Sequence, residues 1–203
     1  MKRSFLAAAA ALALAACSDS GPLLQKRSPP ADASKYIVWS PSDSIYTNQV
    51  PESTGYAGPD GWQVGTVFTV DDTVLVIGFK YYKAVGETGS HTARLYTSGG
   101  TLVGTRGFTG ETASGWQRTM LTTTFSIPPG TYVVTVNTNT YQVKSFGWFT
   151  NNGPISRSHL EATGGKYGQP IHSFPASGSG SSFFVDVIYR PKLCNTTTDN
   201  PCP

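Results

Sequence analysis

The chain has 203 residues, with 15 basic and 12 acidic side chains and a formal charge of +3. Only 13% of residues are charged, whereas 12% are aromatic and 22 are glycine. No basic stripe invites nucleic acid and no acidic block suits ion storage. Gly, Thr, Ser and aromatics instead suit a β-rich protein with many tight turns, of a length for one sizeable domain plus tails.

The first segment has the pattern of a bacterial lipoprotein leader. Met1-Lys2-Arg3 is basic, Phe5 to Ala13 is unbroken Phe, Leu and Ala, and Leu14-Ala15-Ala16-Cys17 closes the run. The apolar run falls short of the about 20 residues that span a bilayer. Residues 1–16 are therefore expected to be removed as a signal peptide, with Cys17 carrying the lipid that anchors the protein to the membrane. Ser18 rather than Asp follows the cysteine, which by the enteric-type sorting rule points to the outer membrane of a bacterial cell envelope. Residues 17–34, with Ser28-Pro29-Pro30, cannot bury a core and form an expected tether. An exported chain with Cys17 lipidated leaves Cys194 and Cys202 as an even pair, expected to form a disulfide in a tail of residues 192–203.

Between residues 35 and 191 the chain alternates apolar and polar residues. Expected strands run Tyr36–Trp39, Val64–Val70, Val74–Tyr82, Ala93–Tyr96, Leu102–Phe108, Trp116–Ile127, Thr131–Asn137, Val143–Phe149 and Phe183–Tyr189. Val74–Tyr82 has the strongest signal. In Thr131–Asn137, Tyr132, Val134 and Val136 face one way and Val133, Thr135 and Asn137 the other. No helical period persists for ten residues after Cys17. Together these predict an all-β fold, an antiparallel two-sheet β-sandwich of jelly-roll type with about nine strands.

Four stretches carry a family resemblance. Gly78-Phe79-Lys80-Tyr81-Tyr82-Lys83-Ala84 runs on through Gly86-Glu87-Thr88-Gly89-Ser90-His91-Thr92 to Arg94-Leu95-Tyr96. Phe108-Thr109-Gly110-Glu111-Thr112-Ala113-Ser114-Gly115-Trp116-Gln117 is the most specific. Asn152-Gly153-Pro154 and Phe184 to Tyr189 follow. Residues 40–190 thereby resemble a bacterial family catalogued as a domain of unknown function, DUF4082. The resemblance implies a jelly-roll module similar to carbohydrate-binding domains, with no catalytic role. Tyr96 stands where the family often has Trp, and Val136-Asn137 where it often has Tyr-His.

Chemistry-bearing residues are few. There is no Gly-x-Ser-x-Gly elbow, and His91, His159 and His172 lie in loops without metal-ligand spacing. No cofactor is expected. Glu87, Glu111 and Asp186 could meet as the paired carboxyls a glycosidase needs, although loop positions favour solvated roles for the two glutamates. Asp186 interrupts an apolar strand, so it needs either a structural partner or a ligand contact. His91 could hydrogen-bond a neighbouring turn or bind a ligand. Trp116 fits a core position. Tyr141, Trp148, Asn151, Asn152 and His172 combine aromatic faces with polar groups, the ingredients of a sugar site. The expectation is a non-catalytic, lipid-anchored envelope protein that displays a β-sandwich binding module for glycan or cell-envelope polymer. A structural or adhesion domain that binds another envelope protein is the alternative, and a glycan-active enzyme is third.

Overall fold

In the computed structural model, residues 39–192 are described. Residues 1–16, Cys17, the tether to residue 34, most of the strand expected at Tyr36–Trp39, Cys194 and Cys202 lie outside them. Trp39 itself forms one bridge to Lys192.

The described residues hold thirteen strands and one short helix. They are β1 (Asp43–Ser44), β2 (Ser53–Tyr56), β3 (Trp62–Val70), β4 (Val74–Lys83), β5 (Thr92–Thr97), β6 (Leu102–Gly107), β7 (Gly115–Ile127), β8 (Gly130–Thr138) and β9 (Tyr141–Lys144). Helix α1 (Trp148–Asn152) follows, then β10 (Ile155–Arg157), β11 (Leu160–Gly168), β12 (Ser177–Ser179) and β13 (Val185–Pro191).

One sheet has the order β1-β13-β4-β7; the other runs β10-β11-β3-β8-β5-β6, with β12 also on β11. All pairings are antiparallel. Four strands in each sheet make a jelly roll: β1-β13-β4-β7 faces β3-β8-β5-β6, so the first strand lies beside the last and each sheet draws on both halves of the chain. The connection from β8 to β13 carries everything else on that side of the fold. It contributes β9, α1, β10, β11 and β12, and it widens the second sheet past β3. Strands β2 and β9 pair separately as a small ribbon.

Side-chain alternation explains the core. Val64, Thr66, Phe68 and Val70 of β3 and Tyr132, Val134 and Val136 of β8 point between the sheets. They meet Val74, Val76, Phe79 and Tyr81 of β4 and Val185, Val187 and Tyr189 of β13. The apolar positions of β4 change parity midway because the pairing with β7 shifts between Val76 and Gly78, which keeps both halves facing inward.

The strand count exceeds the nine expected because β2, β10 and β12 are short, and β11, Leu-Glu-Ala-Thr-Gly-Gly-Lys-Tyr-Gly, is rich in glycine. Backbone pairing to β3 holds β11 in the sheet where its own alternation is weak. The expected strand Val143–Phe149 is also corrected. It stops at Lys144, and Gly147 at φ 58° turns the chain into α1. Phe146, Trp148 and Phe149 gave that segment its strand-like look, but the left-handed glycine overrides them.

Candidate functional site

The β8–β13 connection builds a cleft at one end of β3. Two walls are aromatic. Trp62 at the start of β3 lies 5.8 Å from Tyr167 near the end of β11, and Tyr167 lies 6.0 Å from Phe183, all as tilted ring pairs. Trp62 and Tyr167 stay partly exposed while packing on the core. The Trp62 indole is fixed because its Nε1 donates to the Ala57 carbonyl at 2.7 Å. The opposite wall is the alternate face of β9, Gln142 and Lys144, followed by Phe146, which is 60% exposed. Ser179 and Ser181 close the end, and the cleft holds about 380 Å³.

Each wall is tied down. The backbones of Ser145 and Ser182 bond reciprocally at 3.0 and 3.1 Å, joining the end of β9 to the segment before β13. Gly147 N–H donates to Ser181 Oγ at 3.2 Å, and Phe149 N–H to the Gly180 carbonyl at 2.8 Å. Gly165 is required at the floor: a Cβ there would sit 2.2 Å from the Ser181 carbonyl oxygen and 2.9 Å from the Phe183 ring. Two polar groups on the β9 wall are unspent. Gln142 Oε1 is buried and accepts no hydrogen bond from the protein. Lys144 has no ion pair among the described residues, and its Nζ sits 4.1 Å from the centre of the Phe146 ring.

The residues singled out from sequence lie elsewhere. Tyr141 is on the other face of β9, its ring 5.7 Å edge-on from Tyr56. Trp148, Asn151 and Asn152 share α1. Trp148 packs on Phe184 at 6.1 Å, Asn152 donates back to the Trp148 carbonyl, and Asn151 faces Gly147. His172 is exposed on the loop after β11, where its backbone N–H meets Gln63 Oε1 at 2.8 Å; burial and the Arg94 charge hold its imidazole below the usual value. None of these five lines the cleft. Trp116 packs against Tyr46, Tyr82 and Phe184. His159 bonds Asp71 at 2.7 Å at the turn before β11.

His91, Glu87 and Glu111 converge, but inside the protein. His91 is 1% exposed; its Nε2 is 2.8 Å from Glu87 Oε1 and its Nδ1 2.9 Å from Glu111 Oε2. The ring thus bridges the two carboxyl groups, one through each nitrogen. Glu111 accepts two further hydrogen bonds, from Lys83 Nζ at 3.0 Å and from Tyr81 Oη at 2.9 Å. Glu87 also accepts the consecutive backbone N–H groups of Asn139, Thr140 and Tyr141. Burial by itself raises both glutamates; hydrogen bonds from His91 and three backbone N–H groups outweigh it at Glu87, and Lys83, His91 and Tyr81 outweigh it at Glu111, so both lie below the ordinary carboxyl value. The cluster thus clamps the turn that delivers β9 to the cleft wall. Asn137, where the resembled family often has His, supports the same region by accepting from Thr92 N–H and donating to the Ser90 carbonyl.

Asp186 is fully buried and engaged. Its carboxylate accepts from the backbone N–H of Ile45 at 3.0 Å and Tyr46 at 2.8 Å and pairs with Lys80 at 3.4 Å. Lys80 also donates to Ser44 Oγ and the Tyr46 carbonyl and lies over the Trp116 ring. Burial raises Asp186 to about 6 against the pull of Lys80 and the two N–H groups. These contacts fasten the segment around β1 to β13. Among the described residues, no group of three or more His, Cys, Asp and Glu is arranged to hold a metal ion.

The cleft residues Trp62, Tyr167 and Gln142 escaped the sequence reading. Trp62 and Tyr167 stand beside glycines in turn-like text, and only the β3–β11 pairing brings them together. No curated protein matches the chain. Residues 48–185, which contain the whole clamp and every lining residue of the cleft, match the family described as a domain of unknown function, DUF4082, and the chain belongs to that family.

Proposed function

We propose that this protein is a non-catalytic, lipid-anchored module of the bacterial cell envelope that binds glycan in the cleft between β3, β9 and β11. The row Trp62–Tyr167–Phe183 carries the reading. Sugar rings present apolar faces that stack on aromatic rings, while a few fixed polar groups meet their hydroxyls. The cleft offers both kinds, and its walls are held by backbone bonds before any ligand arrives, so little ordering is lost on binding. The absence of catalysis is supported by the engagement of Glu87, Glu111 and Asp186. Each already binds internal partners, and no carboxyl lines the cleft among the described residues. The anchor rests on the Leu14-Ala15-Ala16-Cys17 pattern, and the even pair Cys194 and Cys202 supports an oxidising compartment and a disulfide.

A glycan array followed by isothermal titration tests the reading. The wild-type protein is expected to bind at least one envelope or extracellular polysaccharide, and Trp62→Ala to lose that binding with the fold intact by circular dichroism. A folded wild-type protein that binds none, or a Trp62→Ala variant that binds equally well, overturns it.

A further inference from the structure

We infer that the glycan taken by this cleft is acidic, with an anionic group on the sugar that Lys144 receives. The inference rests on the binding reading above and names the ligand class of the same site.

Lys144 is the one charged residue among those described as lining the cleft, and no lining residue is acidic. Its ammonium is not spent on a carboxylate of the protein. It is steadied by the Phe146 ring at 4.1 Å, a cation–π contact at a partly exposed site. The backbone beneath it is fixed, since Ser53 Oγ donates to the Lys144 carbonyl at 3.1 Å within the β2–β9 ribbon. A lysine ammonium has three donors and no acceptor, so it favours an anion over a neutral hydroxyl. Aromatic walls raise that preference by lowering the local dielectric.

Gln142 lies two residues before Lys144 on the same face of β9, about 6.7 Å away along the strand, so the two side chains form one wall opposite the aromatic row. A pyranose stacked on Trp62 or Tyr167 would face the Lys144 cation across the cleft. A ring-borne carboxylate or sulfate satisfies that cation, and a fully neutral sugar leaves it idle.

The test uses the full-length protein in detergent and four probes. These are polygalacturonate, the same polymer fully methyl-esterified, a sulfated glycosaminoglycan and a neutral glucan. At least one acidic polymer is expected to bind about tenfold more tightly than its neutral counterpart, the weight of one charge-assisted hydrogen bond. Added salt should narrow the gap. Lys144→Met, which keeps the stem and removes the charge, should bring the acidic polymer down to the level of its neutral counterpart. The carboxylated and sulfated arms tell which anion is read. Equal binding of ester and acid, or an acidic affinity unmoved by Lys144→Met, overturns the inference. Trp62-dependent binding of neutral glucan alone also overturns it while sparing the cleft, and no binding of any probe overturns it too, with the glycan array deciding the cleft reading separately.

Discussion

Replacing Glu87 by glutamine probes the clamp beneath β9. In the wild-type protein Oε1 accepts from Asn139 N–H at 2.5 Å and His91 Nε2 at 2.8 Å, while Oε2 accepts from Thr140 N–H at 2.9 Å and Tyr141 N–H at 2.5 Å. An amide has one acceptor oxygen. Whichever way it turns, its NH₂ group faces at least one backbone N–H that it cannot accept from, and the bonds that remain lose their charge assistance, each charge-assisted bond being worth about 1.5–3 kcal/mol. His91 also loses one of the two carboxylates that flank it in a buried site. The expected destabilisation is about 3–5 kcal/mol, the scale for breaking a buried ion pair. A domain in the upper part of the usual range of about 5–15 kcal/mol survives that loss, and at a slope near 2 kcal/mol/M its urea midpoint falls by about 2 M. Tryptophan fluorescence and circular dichroism in urea measure it. The pH profile gives an independent readout. Glu87 and Glu111 are depressed in the folded state, so the unfolded chain binds more protons over the acid range. Their contribution is complete above the ordinary value of 4.5 and is lost as pH falls through the depressed folded values. The variant should lose less stability than the wild type on acidification, because Glu87 no longer titrates. A midpoint shift corresponding to under about 1 kcal/mol, less than one charge-assisted bond, with an unchanged acid slope refutes the clamp.

Asp186→Asn leaves Lys80 without its carboxylate and orphans the N–H of Ile45 or Tyr46, with an expected loss of about 3–5 kcal/mol in urea melts. Since burial raises Asp186 from 3.8 to about 6, the folded state binds the extra proton in that window, and its contribution to stability is largest below 3.8 and declines as pH rises to about 6. That decline should vanish in the variant, and its persistence would assign the proton to another group. Gly165→Ala drives a Cβ against the Ser181 carbonyl and the Phe183 ring, so it should cost about 1–3 kcal/mol and weaken glycan binding together. Unaltered melting would show that the cleft floor yields freely. For the proposed anchor, Cys17→Ser should abolish metabolic palmitate labelling and release the protein from membranes, whereas labelling that survives the change would place the lipid elsewhere.

The all-β class and the longest strands were legible because their signal is local. Val74–Tyr82 emerged as Val74–Lys83, and the alternation of Tyr132, Val134 and Val136 put those three residues in the core. Strands β10 to β12 were not legible, since Gly, Ser and Thr segments are held by ladder bonds to a neighbour and carry little apolar pattern of their own. The segment Val143–Phe149 misled for the opposite reason. Its aromatic composition suits a strand, but Gly147 breaks it, and no periodicity count registers a single left-handed residue.

At the sites the division is sharper. Asp186 could be marked from sequence as a group in need of a partner, because an acid on an apolar strand must be satisfied, whereas Glu87 and Glu111 read as solvated loop carboxylates, and the first is instead buried and the second largely so. Which partners they find was decided by the tertiary structure. His91 sits between carboxylates from the loops on either side of β5 and β6, and Asp186 caps backbone groups at Ile45 and Tyr46, over a hundred residues away along the chain. The cleft follows the same rule. Trp62, Gln142, Lys144, Tyr167 and Phe183 come from β3, β9, β11 and the approach to β13, and long-range strand pairing alone makes them neighbours. Side-chain periodicity records which face a residue takes within its own strand, while a concave site depends on the order in which distant strands pair.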